Sequence, residues 1–142
     1  MTWLRWLTIG ALLLLGCRVF SPNLPAAAVI EVQAQNGWQD TGIEIRAGDE
    51  VRVQYLSGTW SPWAGGWYDA LGYGGDPKCD CNALMGASHA ALLGRLGEES
   101  PFLVGADYRW VAGERGRLYL GINDTRLEDN SGTLQVLVEI KR

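Results

Sequence analysis

Between Asn123 and Gly132 the chain carries three carboxylates, Asp124, Glu128 and Asp129, and two amides, Asn123 and Asn130, in one short run. Carboxylates crowded into a tight loop repel one another unless water or a cation separates them. Hard oxygen donors of this kind suit calcium, which takes roughly 6 to 8 oxygen ligands. The competing reading is a solvated turn, because Asp, Asn, Ser and Gly side chains hydrogen-bond nearby backbone and tolerate unusual dihedrals. The spacing is not that of an EF-hand. On pattern alone both readings stand.

A second group with chemical potential precedes it. From Ser57 to about Pro77 the chain sets Trp60, Trp63, Trp67, Tyr68 and Tyr73 among six glycines. A segment this long without regular structure inside a compact domain is functional or disordered, and this one is too aromatic for a disordered linker. It is expected to be an ordered binding loop. A flat indole beside polar groups is what a protein offers to the apolar face of a pyranose; the alternative is that two of the three tryptophans only cap the core. Cys79, Cys81 and His89 add three zinc-type donors, but the spacing supplies no fourth partner. The two cysteines can close a small disulfide, pair with another chain or stay reduced. His89 lies in an apolar run and reads as a packed core or edge residue.

The elements that must position these groups are strands. Arg117–Ile122 places Leu118, Leu120 and Ile122 on one face, and Thr133–Ile140 does the same with Leu134, Val136, Val138 and Ile140, so the acidic loop caps a hairpin. Further strands are expected at Val29–Ala34, Thr41–Arg46, Val51–Tyr55, Phe102–Val104 and Tyr108–Val111, and the glycines at 86, 94 and 97 favour a buried strand over Ala83–Leu96. Short strands at close spacing, with 19 glycines to turn them, give an all-β fold, a β-sandwich.

The N-terminus has Arg5 before an apolar run from Leu7 to Leu15, the pattern of an export signal. Leu14-Leu15-Gly16-Cys17 is similar to a bacterial lipobox, with Cys17 the lipidation candidate and membrane attachment its consequence; cleavage after Ala26-Ala27-Ala28 is the competitor. Residues 1–17 thus read as signal peptide and lipobox, 18–28 as a tether and 29–142 as the domain. The product is an exported protein, either a cell-envelope lipoprotein or a secreted or periplasmic one. Of 12 basic side chains only Arg5 precedes Cys17, which leaves 11 against 16 acidic ones, a net charge of −5. The arginines are scattered, so nucleic acid is excluded as a partner.

Taken in order, these residues resemble the PA-I-type galactophilic lectins, calcium-dependent bacterial β-sandwiches that bind galactose-containing glycans. The resemblance runs from about Val29 to Ile140 and implies a β-sandwich of galactose-binding, jelly-roll-like type. It rests on Ile-x-Ala-Gly-Asp-x-Val-x-Val from Ile45 to Val53, Ser57-Gly58-Thr59-Trp60, Ala91-Leu92-Leu93-Gly94-Arg95-Leu96-Gly97, and Asn123-Asp124 followed by Asp129-Asn130-Ser131-Gly132. It implies calcium held by Asp124, Asp129 and Asn130, with main-chain carbonyls from Trp63 and from Arg126 or Leu127. It also implies sugar contacts at Asp124, Thr125, Asp129, Trp63 and Asp76, and makes oligomers possible. Two departures are evident. Asp129 stands where the family has asparagine, and the His-Pro and glutamine contacts for galactose are not found around Asp76-Pro77-Lys78.

The implied function is non-catalytic, calcium-dependent carbohydrate binding, with a galactoside as the extrapolated ligand. A structural envelope lipoprotein whose loop is merely stapled by calcium is the second reading. A hydrolase is the third: Asp124 with Glu128 or Asp129 nominally provides two carboxyls. Metal-bound carboxylates are poor general acids, however, and one histidine in an apolar run builds no Ser-His-Asp triad.

Overall fold

The computed structural model describes residues 26–142. The export segment, Cys17 and most of the tether lie outside the described residues. Eight strands follow in order: β1 (Ala26–Gln33), β2 (Gln39–Ile45), β3 (Glu50–Ser61), β4 (Leu92–Leu96), β5 (Phe102–Leu103), β6 (Asp107–Val111), β7 (Gly116–Ile122) and β8 (Ser131–Lys141). They form two antiparallel sheets, ordered β1-β8-β3-β6 and β2-β7-β4-β5. The expected all-β sandwich is what the chain forms. A single 3-10 turn, Ala34–Asn36, joins β1 to β2.

The core follows from the period of two. Leu134, Val136, Val138 and Ile140 of β8 face Leu118, Leu120 and Ile122 of β7, with Val51, Val53 and Trp60 of β3 in the same apolar cluster. β3 is longer than its sequence suggests. Its alternation is interrupted between Tyr55 and Ser57, where the register against β8 slips. A bulge of this kind reverses which residues face inward, so Val51 and Val53 are buried before it and Trp60 after it. Residues 57–61, expected in the aromatic loop, are therefore strand, and Trp60 is core. Its Nε1 donates to the Ala90 carbonyl at 2.9 Å.

Two other boundaries differ. β1 begins at Ala26, inside the span read as a tether, because Ala26 finds a partner in Ile140 at the far end of β8. Of Ala83–Leu96, only Leu92–Leu96 is a strand; the rest is a packed loop whose backbone is satisfied by a side chain described below.

The outer faces carry charge ladders. Arg52 bridges Asp107 of β6 at 2.8 Å and Glu139 of β8 at 3.2 Å, and Arg117 reaches Asp40 of β2 at 2.6 Å. Hydrogen bonds from Arg117 and Arg52 hold the Asp40 and Asp107 carboxyls below the usual aspartate range. A carboxylate depressed on folding contributes stability above its unfolded pKa and loses it as pH falls through the folded value. The urea midpoint should therefore drop below about pH 4, and Arg52→Gln should shrink the difference between pH 6 and pH 3.

Gly58 adopts φ +96°, and a Cβ there would lie 2.3 Å from the Thr133 carbonyl oxygen; one on Gly113 would meet nothing within 4 Å. Gly58→Ala should lower stability by more than about 1 kcal/mol, while Gly113→Ala should stay within about 0.5 kcal/mol, both measured by urea unfolding.

Candidate functional site

Three loops meet at the end of the sandwich where β3 finishes and β8 starts. The pairing of Ser61 with Ser131 fixes that meeting point. Asn130, the last residue of the acidic loop, immediately precedes Ser131, and Pro62 and Trp63 immediately follow Ser61.

Asn123 opens the acidic loop and is fully buried. Its Nδ2 donates to the carbonyls of Leu84 (3.2 Å), Ala87 (3.4 Å) and Ser88 (3.0 Å), and its Oδ1 accepts the Leu84 N–H at 2.8 Å. Its main chain pairs with Ala90 and Ala91. Both polar atoms of the side chain are thus engaged within the protein. It is instead the clamp that holds the 84–91 loop against β7.

Asp124 follows, 5% exposed. Its Oδ1 accepts the Arg126 N–H at 2.8 Å, a side-chain turn that fixes the carboxylate. Among the described residues no hydrogen bond reaches Oδ2. Thr125 donates both its N–H (2.7 Å) and its hydroxyl (3.0 Å) to the Cys81 carbonyl, which ties the acidic loop to the cysteine turn. The Arg126 guanidinium pairs with Asp80 at 3.3 Å, with both groups exposed. Leu127 is half-buried against the core, and its carbonyl accepts the Asn130 N–H at 3.2 Å.

Asp129 and Glu128 are exposed. Asn130 is 1% exposed; its Nδ2 donates to the Ala34 carbonyl at 3.3 Å, and its Oδ1 is buried with no hydrogen-bond partner.

The aromatic loop closes the other side. Trp63 is half-buried and stacks on His89 with ring centroids 5.6 Å apart and planes 4° from parallel. Tyr68 and Tyr73 pack against the same indole at 5.6 and 5.3 Å. The Trp63 carbonyl accepts the buried Ser61 hydroxyl. Trp67 is 58% exposed, and its ring crosses Gly132, where a Cβ would lie 2.7 Å from Trp67 Cζ3. Of the three tryptophans only Trp60 is wholly core. Asp76 takes a left-handed φ of 57°, and its carbonyl accepts the Asn82 amide (2.9 Å) and the Cys79 N–H (3.1 Å); its carboxylate stays exposed.

The third loop holds the Cys79–Cys81 disulfide, one of the states open from sequence. Cys81, His89 and Asp124 place one donor atom each within 4.8 Å of one another. By sequence His89 is one of three zinc-type donors without a fourth and reads as a packed residue of an apolar run. It is buried, but among polar groups, and one of them, Asp124, is distant in the chain. The aromatic loop and the acidic loop are thus joined through His89: Trp63 covers one face of the ring whose nitrogen neighbours Asp124 and Cys81.

A different concavity, lined by Glu50, Arg52, Arg109, Trp110 and Glu139, lies near the opposite end of β3. Its central cation is already paired with Asp107 and Glu139.

No family model matches the chain, and no curated protein matches it. Among solved structures it is similar to one described as the EclA N-terminal domain, a PllA-like lectin, with a TM-score of 0.62 and 24% identity over 80% of this chain and 95% of that one. The likeness establishes the fold: this chain has the β-sandwich of that lectin.

Replacing Asn123 by Ala removes four side-chain hydrogen bonds and strands buried backbone groups. Each such group costs about 1–3 kcal/mol, so Asn123→Ala should lower the urea midpoint by the equivalent of at least about 2 kcal/mol and expose the 84–91 amides to hydrogen exchange.

Proposed function

We propose that this chain is a non-catalytic carbohydrate-binding domain whose sugar site is completed by calcium at the acidic loop, exported from the cytoplasm and with Cys17 as its lipidation site. The observation that carries the reading is the Asn130 Oδ1, a buried oxygen without a donor. Such an atom costs stability unless something accepts its lone pairs, and a hard cation does so. The other groups offered by the loop are also oxygens, as calcium requires.

Asp124, Asp129 and Asn130 would hold the ion, with main-chain carbonyls of Trp63, Arg126 and Leu127. The Trp63 and Leu127 carbonyls each accept one hydrogen bond already; a carbonyl oxygen has two lone pairs, so one remains on each. Bound calcium supplies positions that two vicinal sugar hydroxyls can take in place of water. The chain's own side chains do the rest. Asp124 and Asp129 accept hydroxyl hydrogens, and Trp63, held by Tyr68, Tyr73 and His89, offers an apolar surface to the ring. The Thr125 hydroxyl, whose proton goes to Cys81, is left as an acceptor, and the exposed Asp76 carboxylate is available to a further hydroxyl.

The fold shared with a PllA-like lectin supports carbohydrate as the ligand class. Galactosides are the first glycans to test. The Asp76-Pro77-Lys78 sequence and the acid at 129 offer a different hydrogen-bond pattern from that of the resembled family.

Calcium at 100 times its Kd should stabilise the protein by about 2.7 kcal/mol, read as a rise in Tm, and calorimetric titration with galactosides should give heat only with calcium present. Asp124→Ala should lose both responses. Sugar binding that survives a chelator overturns the reading, and stabilisation by calcium with no glycan bound points to the structural envelope role instead.

A further inference from the structure

The loop from Cys79 to His89 holds two groups that the calcium reading does not use as ligands. Cys81 and His89 are 8% and 6% exposed, and their donor atoms lie with one from Asp124 inside a 4.8 Å cluster. Cys81 Sγ is 3.6 Å from His89 Nδ1. A tetrahedral zinc ion with a thiolate at about 2.3 Å and an imidazole at about 2.0–2.1 Å holds those two atoms about 3.5 Å apart, so the pair already sits at ligand-to-ligand spacing. The imidazole is held from three sides. Trp63 stacks on it, the His89 main chain donates its N–H to the Gly75 carbonyl and accepts the Tyr73 N–H, and Asn82 Oδ1 lies 2.9 Å from Nδ1. The Asn82 amide is oriented in turn, because its Nδ2 donates to the Asp76 carbonyl. One feature keeps Cys81 from serving as a ligand: its sulfur is bonded to Cys79, and the species that binds metal is the thiolate.

We propose that the Cys79–Cys81 disulfide is the redox gate of a second metal site, formed by Cys81, His89 and Asp124 and suited to a zinc-class divalent cation. A dithiol opens the gate. One of its sulfurs attacks the disulfide, the Cys79–Cys81 bond breaks, and the second sulfur releases the mixed disulfide. The dithiol ends as a cyclic disulfide, and its two electrons and two protons end on Cys79 and Cys81 as thiols. The cation then takes the Cys81 sulfur as thiolate, the thiol proton leaving to solvent. His89 stays neutral, exchanging its proton from Nδ1 to Nε2 as Nδ1 turns from Asn82 to the metal. One thiolate and one carboxylate cancel the double charge of the cation, which suits a buried position. The fourth place falls to Asn82 Oδ1 or water. This site goes beyond the calcium reading and does not rest on it; the two share only Asp124.

Cobalt(II) tests the proposal, because a thiolate ligand gives it a near-ultraviolet charge-transfer band. In the full chain with Cys17→Ser, only Cys79 and Cys81 remain to supply a thiolate. The oxidised protein should show no such band. The same protein reduced with a dithiol and desalted without oxygen should take up one equivalent of cobalt with the band, and Cys79→Ser should do so with no reduction. Cys81→Ser should lose the band, and His89→Ala and Asp124→Asn should weaken binding at least about tenfold. No sulfur band in either the reduced protein or a Cys79→Ser variant with unchanged circular dichroism overturns the proposal. So does a band undiminished by His89→Ala, or one of equal strength in the oxidised chain. None of these readouts involves calcium or sugar, so their failure is separable from that of the lectin reading.

Discussion

A buried amide must satisfy every donor and acceptor it brings out of water, and at Asn123 that requirement organises a whole end of the molecule. The side chain sits just past the end of β7 and makes all its hydrogen bonds to one loop, taking the Leu84 N–H and giving to three carbonyls between Leu84 and Ser88. A loop that contributes no ladder hydrogen bonds of its own over that stretch would otherwise bury unpaired backbone, which compact proteins rarely tolerate. The clamp therefore lets residues 84–91 run as irregular chain under the sandwich end. It also decides where His89 and Ala90 lie, and hence where the Trp60 indole finds its acceptor. Asp124 inherits its position from the same residue, being the next in the chain.

Local periodicity carried the strands well and the loops poorly, for a definable reason. β7 and β8 alternate without interruption, and both were legible from Leu118 to Ile122 and from Leu134 to Ile140. β3 was legible only to Tyr55, because the bulge before Ser57 reverses the inward face and breaks the pattern a reader would follow. Ala83–Leu96 was apolar enough to read as a strand throughout, yet its first part is held by a side chain from the far end of β7. Nothing in the run itself records that. The same distance hid the polar surroundings of His89: the cysteines are near in sequence, Asp124 is not. Where the fold joins segments remote in the chain, composition says that a residue is buried and not what it is buried against.

The acidic loop shows the opposite balance. Its oxygen donors were evident from residue types, but their separate fates were not. Asn123 is spent on structure, Asn130 keeps an unpaired oxygen, and Asp129 faces solvent. Two asparagines in one loop, both buried, thus do different things, because one meets three carbonyls and the other meets a single carbonyl at Ala34. An amide whose Nδ2 is satisfied and whose Oδ1 is not has its orientation fixed by the satisfied half. The free oxygen is then presented in one direction only, which is the preorganisation a cation site needs.

Asp124 belongs to two proposed donor sets of different character. The acidic-loop set consists of oxygens, which suit a hard cation; the other adds an imidazole and a sulfur, which suit a softer one. Its Oδ1 is committed to the Arg126 N–H, so the carboxylate has little freedom to rotate and serve both sets at once. Which set it serves then depends on whether Cys81 can offer a charge. On the proposed scheme, with the disulfide closed the sulfur is neutral and only the oxygen set would attract a divalent ion. With it open, thiolate and carboxylate together would neutralise an ion on the buried side, and Asp124 would serve that set instead. Because Thr125 is tied to the Cys81 carbonyl through both its N–H and its hydroxyl, a shift of the cysteine turn is passed directly to the residue beside Asp124. The two proposed sites are therefore competitors for one side chain, and the bond between Cys79 and Cys81 is what sets the balance between them.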